Sequence, residues 1–231
     1  MKSSDTTPET SKDNPLGYEK ESKLLVGFAI PCIISMLVTA LYNIVDQIFI
    51  GQGVGYLGNA ATNVAFPLTT ICLAITLLIS IGSASRFSLS LGEGDADRAA
   101  QAVGNALAMM VLFGILYTLC IEIFLVPLLN AFGATQDVLP YAIEYTRITA
   151  VGMPLLIITN GMSNLARADG SPNYSMMCML IGAIINTILD PLFIFKFHMG
   201  VRGAAFATVI GQFFSFLMAL YYVKKFTHIR L

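Results

Sequence analysis

Uncharged stretches of membrane-crossing length recur along the chain. Residues 24–45 run 22 positions without a charged side chain, and further stretches follow at 60–85, 99–121, 148–166, 170–189 and 203–223. An α-helix needs roughly 20 residues to cross about 30 Å of hydrocarbon. The pattern therefore predicts six membrane-spanning helices with short connections and no room for a soluble domain. The alternating apolar and polar positions of a membrane barrel are absent. Backbone groups in lipid must be satisfied within their own segment, which makes the expected fold all-α. The fold class read from this pattern is an all-α integral membrane protein, a six-transmembrane-helix bundle.

The first residues break the pattern. Residues 1–23 are polar and contain Pro8 and Pro15, which predicts a disordered cytoplasmic leader. It lacks an apolar region ending in a small-residue cleavage site, so it is not a secretory signal peptide. The expected division is a leader over 1–23, the helical bundle over 24–226, and a short cytoplasmic end over 227–231.

Composition strengthens the membrane reading. The chain is 56% hydrophobic and 12% charged, with mean hydropathy +0.74, whereas soluble domains hold roughly 25% charged residues. The net charge of −1 and the lack of a basic cluster leave no basis for a nucleic-acid partner. The expected partner is the lipid bilayer.

Lys and Arg set the orientation. With the N-terminus inside, Lys2, Lys12, Lys20, Lys23, Arg86, Arg98, Arg167, Lys224, Lys225 and Arg230 fall on the cytoplasmic side. Only Arg147, Lys196 and Arg202 fall outside. Both termini are expected in the cytoplasm.

Two acids change the picture. Asp46 sits in YNIVDQIFIG and Asp190 in IINTILDPLFIF, and an ionisable residue inside a span costs roughly 2.5–3.5 kcal/mol on insertion scales. An amide would bridge helices more cheaply, so a structural role explains these acids poorly. Glu122 lies near a span end and can reach the interface. Polar neighbours follow helical spacing: Tyr42 and Asn43 precede Asp46 by four and three residues, and Asn186 precedes Asp190 by four. Asn160 precedes Asn164 by four with Ser163 between, and Thr208 precedes Gln212 by four. Residues at these spacings share a helix face, so four spans each carry a polar stripe, and the stripes are expected to converge inside the bundle.

Two buried carboxyls can bind and release a proton, because low dielectric and a neighbouring acid both favour protonation. Carboxylate, amide and hydroxyl oxygens from Asp46, Asp190, Asn186 and Thr208 can equally cage Na⁺. The residues leave both readings open. Pro191 follows Asp190 directly, and Pro31, Pro67 and Pro154 lie in or near three other spans; bent helices beside ionisable groups fit a transporter. No phosphate-binding loop and no catalytic constellation is present, so the chain is not expected to be an enzyme and no cofactor is implied. Cys32, Cys72, Cys120 and Cys178 fall in four different spans and read as packing residues.

The segments YNIVDQIFIGQGVG, NAATNVAFPL, LGEGDADRAAQAVGNAL, LARADGSPNY, IINTILDPLFIF and GVRGAAFATVIGQ occur in an order and spacing that covers nearly all of 24–226. Together they resemble the N-terminal half of a multidrug and toxic compound extrusion (MATE) transporter, of the bacterial type with a first-helix aspartate. The resemblance implies one lobe of a twelve-helix transporter in a bacterial plasma membrane, exporting organic, often cationic drugs or toxic compounds against H⁺ or Na⁺. It implies coupling roles for Asp46, Asp190, Asn186, Thr208 and Asn160, and cavity-lining roles for Tyr42, Tyr145 and Met179. It also implies a partner: a C-terminal lobe beyond this sequence or a second copy of this chain. The other readings are a lipid-linked oligosaccharide flippase, disfavoured because the spans lack Arg and Lys, and a non-transporting membrane protein.

Overall fold

A computed structural model describes residues 21–226. The leader up to residue 20 and the end from residue 227 lie outside the described residues. The chain forms α1 (Glu21–Gly53), α2 (Tyr56–Gly92), α3 (Ala96–Ile123), α4 (Leu125–Ala131), α5 (Leu139–Ala168), α6 (Pro172–Pro191) and α7 (Val201–Val223). A π-helical turn, Leu192–Lys196, continues α6. Six helices are long and apolar enough to cross a membrane, as the uncharged stretches predict. The short α4 is not evident from the sequence pattern, because its seven residues, apolar except for Asn130, look like a continuation of the third span.

Local sequence explains where the helices stop. After α2, Gly94 takes φ 76 and the N–H of Asp95 returns to the carbonyl of Ser90 at 2.9 Å. Asp95 then caps α3, its side chain accepting from the N–H of Arg98 at 3.0 Å. Gly170 repeats the device after α5 with φ 83, and the N–H of Ser171 reaches the carbonyl of Ala166 at 2.9 Å. A left-handed glycine past the last turn satisfies carbonyls that would otherwise be orphaned.

The glycine-rich segment 51–55 is largely helical. Helix α1 runs on through Gly53, with Val54 and Gly55 still donating to Ile50 and Gly51 at 2.8 and 3.0 Å. Its last turn needs the glycine, because a Cβ on Gly53 would collide with the Ile194 side chain.

Helix α5 is the axis of the bundle, packing on α2, α3, α6 and α7. The main core joins α2, α3, α5 and the far end of α7 through residues such as Leu68, Val103, Met110, Ile157, Leu165 and Tyr222. A smaller cluster of Ile50, Ile194 and Ala204 ties the end of α1 to the π turn and α7. Helices α6 and α7 cross through glycine: a Cβ on Gly211 would sit 2.7 Å from the Gly182 carbonyl oxygen. That contact brings the polar stripes of the two helices face to face.

Candidate functional site

Four helices deliver the polar stripes to one place. Asp46 from α1 and Asp190 from α6 are both buried, Asp190 completely. Their carboxyls lie within hydrogen-bonding reach of each other. Tyr42 stands beside both acids. Tyr145 of α5 also faces both acids and Tyr42, and its hydroxyl lies within hydrogen-bonding reach of the Thr208 side chain.

Asn186 joins α6 to α7. Its amide fits with the nitrogen donating to Asp190 Oδ2 at 2.9 Å and the oxygen accepting from the N–H of Thr208 at 3.2 Å. The reverse assignment gives the nitrogen two 3.3 Å contacts, to Asp190 Oδ1 and Thr208 Oγ1, and turns the oxygen toward an acceptor. Amide orientation is set by the hydrogen-bond network, and the first choice satisfies both neighbours.

A cavity of about 120 Å³ opens beside this cluster, lined by Tyr42, Asn160, Met179, Asn186, Thr208 and Gln212 among others. Asp46 and Asp190 lie beyond its lining, and so does Tyr145, which belongs with the acids rather than the cavity wall. Thr159 and Gln212, also in the lining, present Oγ1 and Oε1 atoms without partners, and Asp46 Oδ1 has none either. A buried polar atom left unpaired costs about 1–3 kcal/mol. Three such atoms around one site mark a place prepared for something other than folding. The volume holds waters or an ion but falls well below the roughly 300–1,000 Å³ of a drug-sized pocket.

The other stripe residues divide. Asn160 donates to the Leu156 carbonyl at 3.0 Å within its own helix and lines the cavity. Asn164 turns away and bridges to Ser80 of α2 at 2.7 Å. Asn43 is exposed in a groove between α1 and α2, so it does not join Tyr42 at the acids. Glu122 pairs with Arg147 at 3.6 Å. The four cysteines are free. Thr159 has no role in the sequence reading; its signal is position alone, one residue before Asn160 on the strip that faces α7.

The cage expected for Na⁺ needs the Asn186 oxygen, yet that oxygen already accepts from Thr208 while the nitrogen faces the acids. Asp46 Oδ1, Asp190 and the Thr208 hydroxyl remain as oxygen donors. Among the described residues, no group of three His, Cys, Asp or Glu side chains is placed to hold a metal ion.

Comparison with known proteins agrees with this architecture. The family model for MatE matches residues 31–192. Multidrug resistance protein YoeA of Bacillus subtilis is 27% identical over 95% of this chain and 49% of its own length. The FAD transporter of Shewanella oneidensis is 30% identical over 86% of this chain and 44% of its own length. Among solved structures, the MATE multidrug transporter DinF-BH superposes with TM-score 0.87 at 36% identity, covering 93% of this chain and 48% of that one. The chain spans about half the length of the curated relatives it matches. With a family model over most of its length and a shared fold, the chain belongs to the MatE family.

Proposed function

We propose that this chain forms one six-helix lobe of a cation-coupled antiporter that exports organic, amphipathic, often cationic compounds. The observation that carries the reading is the Asp46–Asp190 pair: two buried carboxyls within reach of each other, beside a polar cavity with unpartnered atoms. Such a pair holds a proton between its oxygens when loaded and repels itself when empty. Asn186 and Thr208 position Asp190, Tyr42 and Tyr145 shield the pair from lipid, and Asn160 supplies a polar edge. The engaged Asn186 oxygen favours H⁺ over Na⁺ as the coupling ion.

A substrate of drug size outgrows the 120 Å³ cavity, so it is held partly by surfaces outside it. Relatives about twice as long as this chain make a second lobe the natural supplier of those surfaces. The Lys and Arg bias supports an orientation with the α2–α3 and α5–α6 turns on the cytoplasmic side of a bacterial plasma membrane.

The test is ethidium efflux from cells whose other exporters are deleted, using the full protein that carries this chain. Asp46→Asn and Asp190→Asn each abolish efflux at unchanged membrane abundance. Collapsing the pH gradient stops the unaltered protein, whereas removing Na⁺ does not. Efflux that survives both substitutions would sink the coupling role of the acids. Accumulation of lipid-linked precursors in a deletion strain would point to a flippase instead.

A further inference from the structure

Arg167 is set apart from the other cations at its end of the bundle. Arg86, Arg98, Lys224 and Lys225 are exposed; Arg98 pairs with Asp95 at 3.2 Å, and Lys225 lies over the Tyr174 ring. Arg167 is half-buried and lines a groove of about 340 Å³ with Cys32, Ser35, Met36, Asn43 and Met179. Among the described residues it makes one hydrogen bond, from Nε to Ser175 Oγ at 2.9 Å, and no ion pair. Among the described residues neither terminal nitrogen of its guanidinium has a hydrogen-bond partner.

The groove borders the cavity. Thr39 and Met179 line both, so the two spaces are neighbours on either side of these side chains. The groove by itself lies at the lower end of the drug-sized range that the cavity misses. Arg167 is the only charged residue lining either space. A partly desolvated guanidinium with two free nitrogens matches the two oxygens of a carboxylate or phosphate. The walls beside it, Cys32, Met36 and Met179, suit an apolar body.

We propose that Arg167 is a specificity-determining residue that binds an acidic group of the exported molecule. The carboxylate rests on the guanidinium, the apolar body lies along Met36 and Met179, and the polar edge follows Thr39 and Asn43. This rests on the export reading above. A lipid phosphate carries the same chemistry and is the other source to be separated.

The experiment measures dye binding by fluorescence anisotropy on the purified full protein in detergent. The probes are a cationic rhodamine ethyl ester and its parent acid, which adds a carboxylate. Arg167→Gln is expected to weaken binding of the acid about tenfold, in line with a lost charge-assisted hydrogen bond, and to leave the ester within about twofold. Arg167→Lys keeps part of the preference, having charge without the fork. Equal weakening of both dyes, or of neither, overturns the proposal, and retained ester binding shows that the variant is folded. Phosphatidylglycerol that displaces the acid from unaltered protein while leaving the ester bound would assign the site to a lipid headgroup and overturn a substrate role. If unaltered protein binds neither dye, the export reading falls, and the inference falls with it.

Discussion

Helices α1 and α5 both contribute to the acid site and could hardly be held more differently. Within the most apolar stretch of each, 61% of α5 residues are buried against 11% of α1 residues. Helix α5 touches four other spans, whereas α1 leans mainly on α6 and meets α2 lightly. Yet α1 supplies Asp46 and Tyr42, while Asp190, Asn186 and Thr208 sit on the glycine-locked pair α6 and α7. One half of the site is therefore fixed and the other is carried by a loosely held helix. An acid pair split this way couples its own state to the position of α1: sharing a proton draws the helices together, and two bare charges push them apart. That coupling is what the proposed antiport role requires of the pair.

Breaking the fixed half should have the largest effect. Gly211→Leu puts side-chain atoms where the Gly182 carbonyl already lies. Overpacking costs about 1–3 kcal/mol and more where backbone must move. Loss of monodisperse protein on gel filtration is expected, and a variant that melts with the unaltered protein would refute the lock. Next comes the latch at the other end of α7, where the buried Tyr222 hydroxyl donates to Asp169 Oδ2 at 2.7 Å. Tyr222→Phe removes a bond to a charged acceptor and should cost about 1.5–3 kcal/mol, read as a lower melting temperature with α1 motion unaffected. The smallest stability effect should follow from loosening α1 further. Gln47→Leu deletes the side-chain link from α1 to Thr62 of α2, whose Nε2–Oγ1 distance is 3.0 Å. Thr62 keeps its bond to the Asn59 carbonyl at 2.9 Å, so the cost should stay near about 0.5–1 kcal/mol. A spin label at Leu37, exposed on α1, should nonetheless become more mobile. An unchanged spectrum would mean that α1 is held by something other than these contacts.

The helices were legible because lipid imposes a length rule, and six uncharged stretches announced six spans. The acids were legible because a carboxylate inside such a stretch has no cheap structural excuse, and the four-residue steps from Tyr42 to Asp46 and from Asn186 to Asp190 put their partners on the same face. Convergence of four stripes followed from the need to hide polar groups from lipid. What sequence left hidden depended on rotation and tilt. Asn43 lies one residue from Tyr42 and turns outward, because roughly 100° around a helix is enough to leave the site. The nearness of Tyr145 to the acids and to Thr208 was equally hidden, because it depends on how α5 packs against α6 and α7. The place of Arg167 in a groove was invisible for a related reason: its neighbours there come mostly from α1, far earlier in the chain.

The pinning of α1 at one end makes it a lever. Its last turn is clamped by Ile50 against Ile194 and by Phe49 edge-on to Phe195, with centroids 6.1 Å apart. The helix is 33 residues long, a rod of roughly 50 Å. A turn of about five degrees at the clamp sweeps the free end through about 4 Å, while Asp46, one turn from the pivot, moves by well under an ångström. The α1 residues beside Arg167, Cys32 to Asn43, stand roughly 10–27 Å from the clamp, so the same turn moves them by about 1–2 Å, and a bulky molecule wedged there pushes back on the acids with that mechanical advantage.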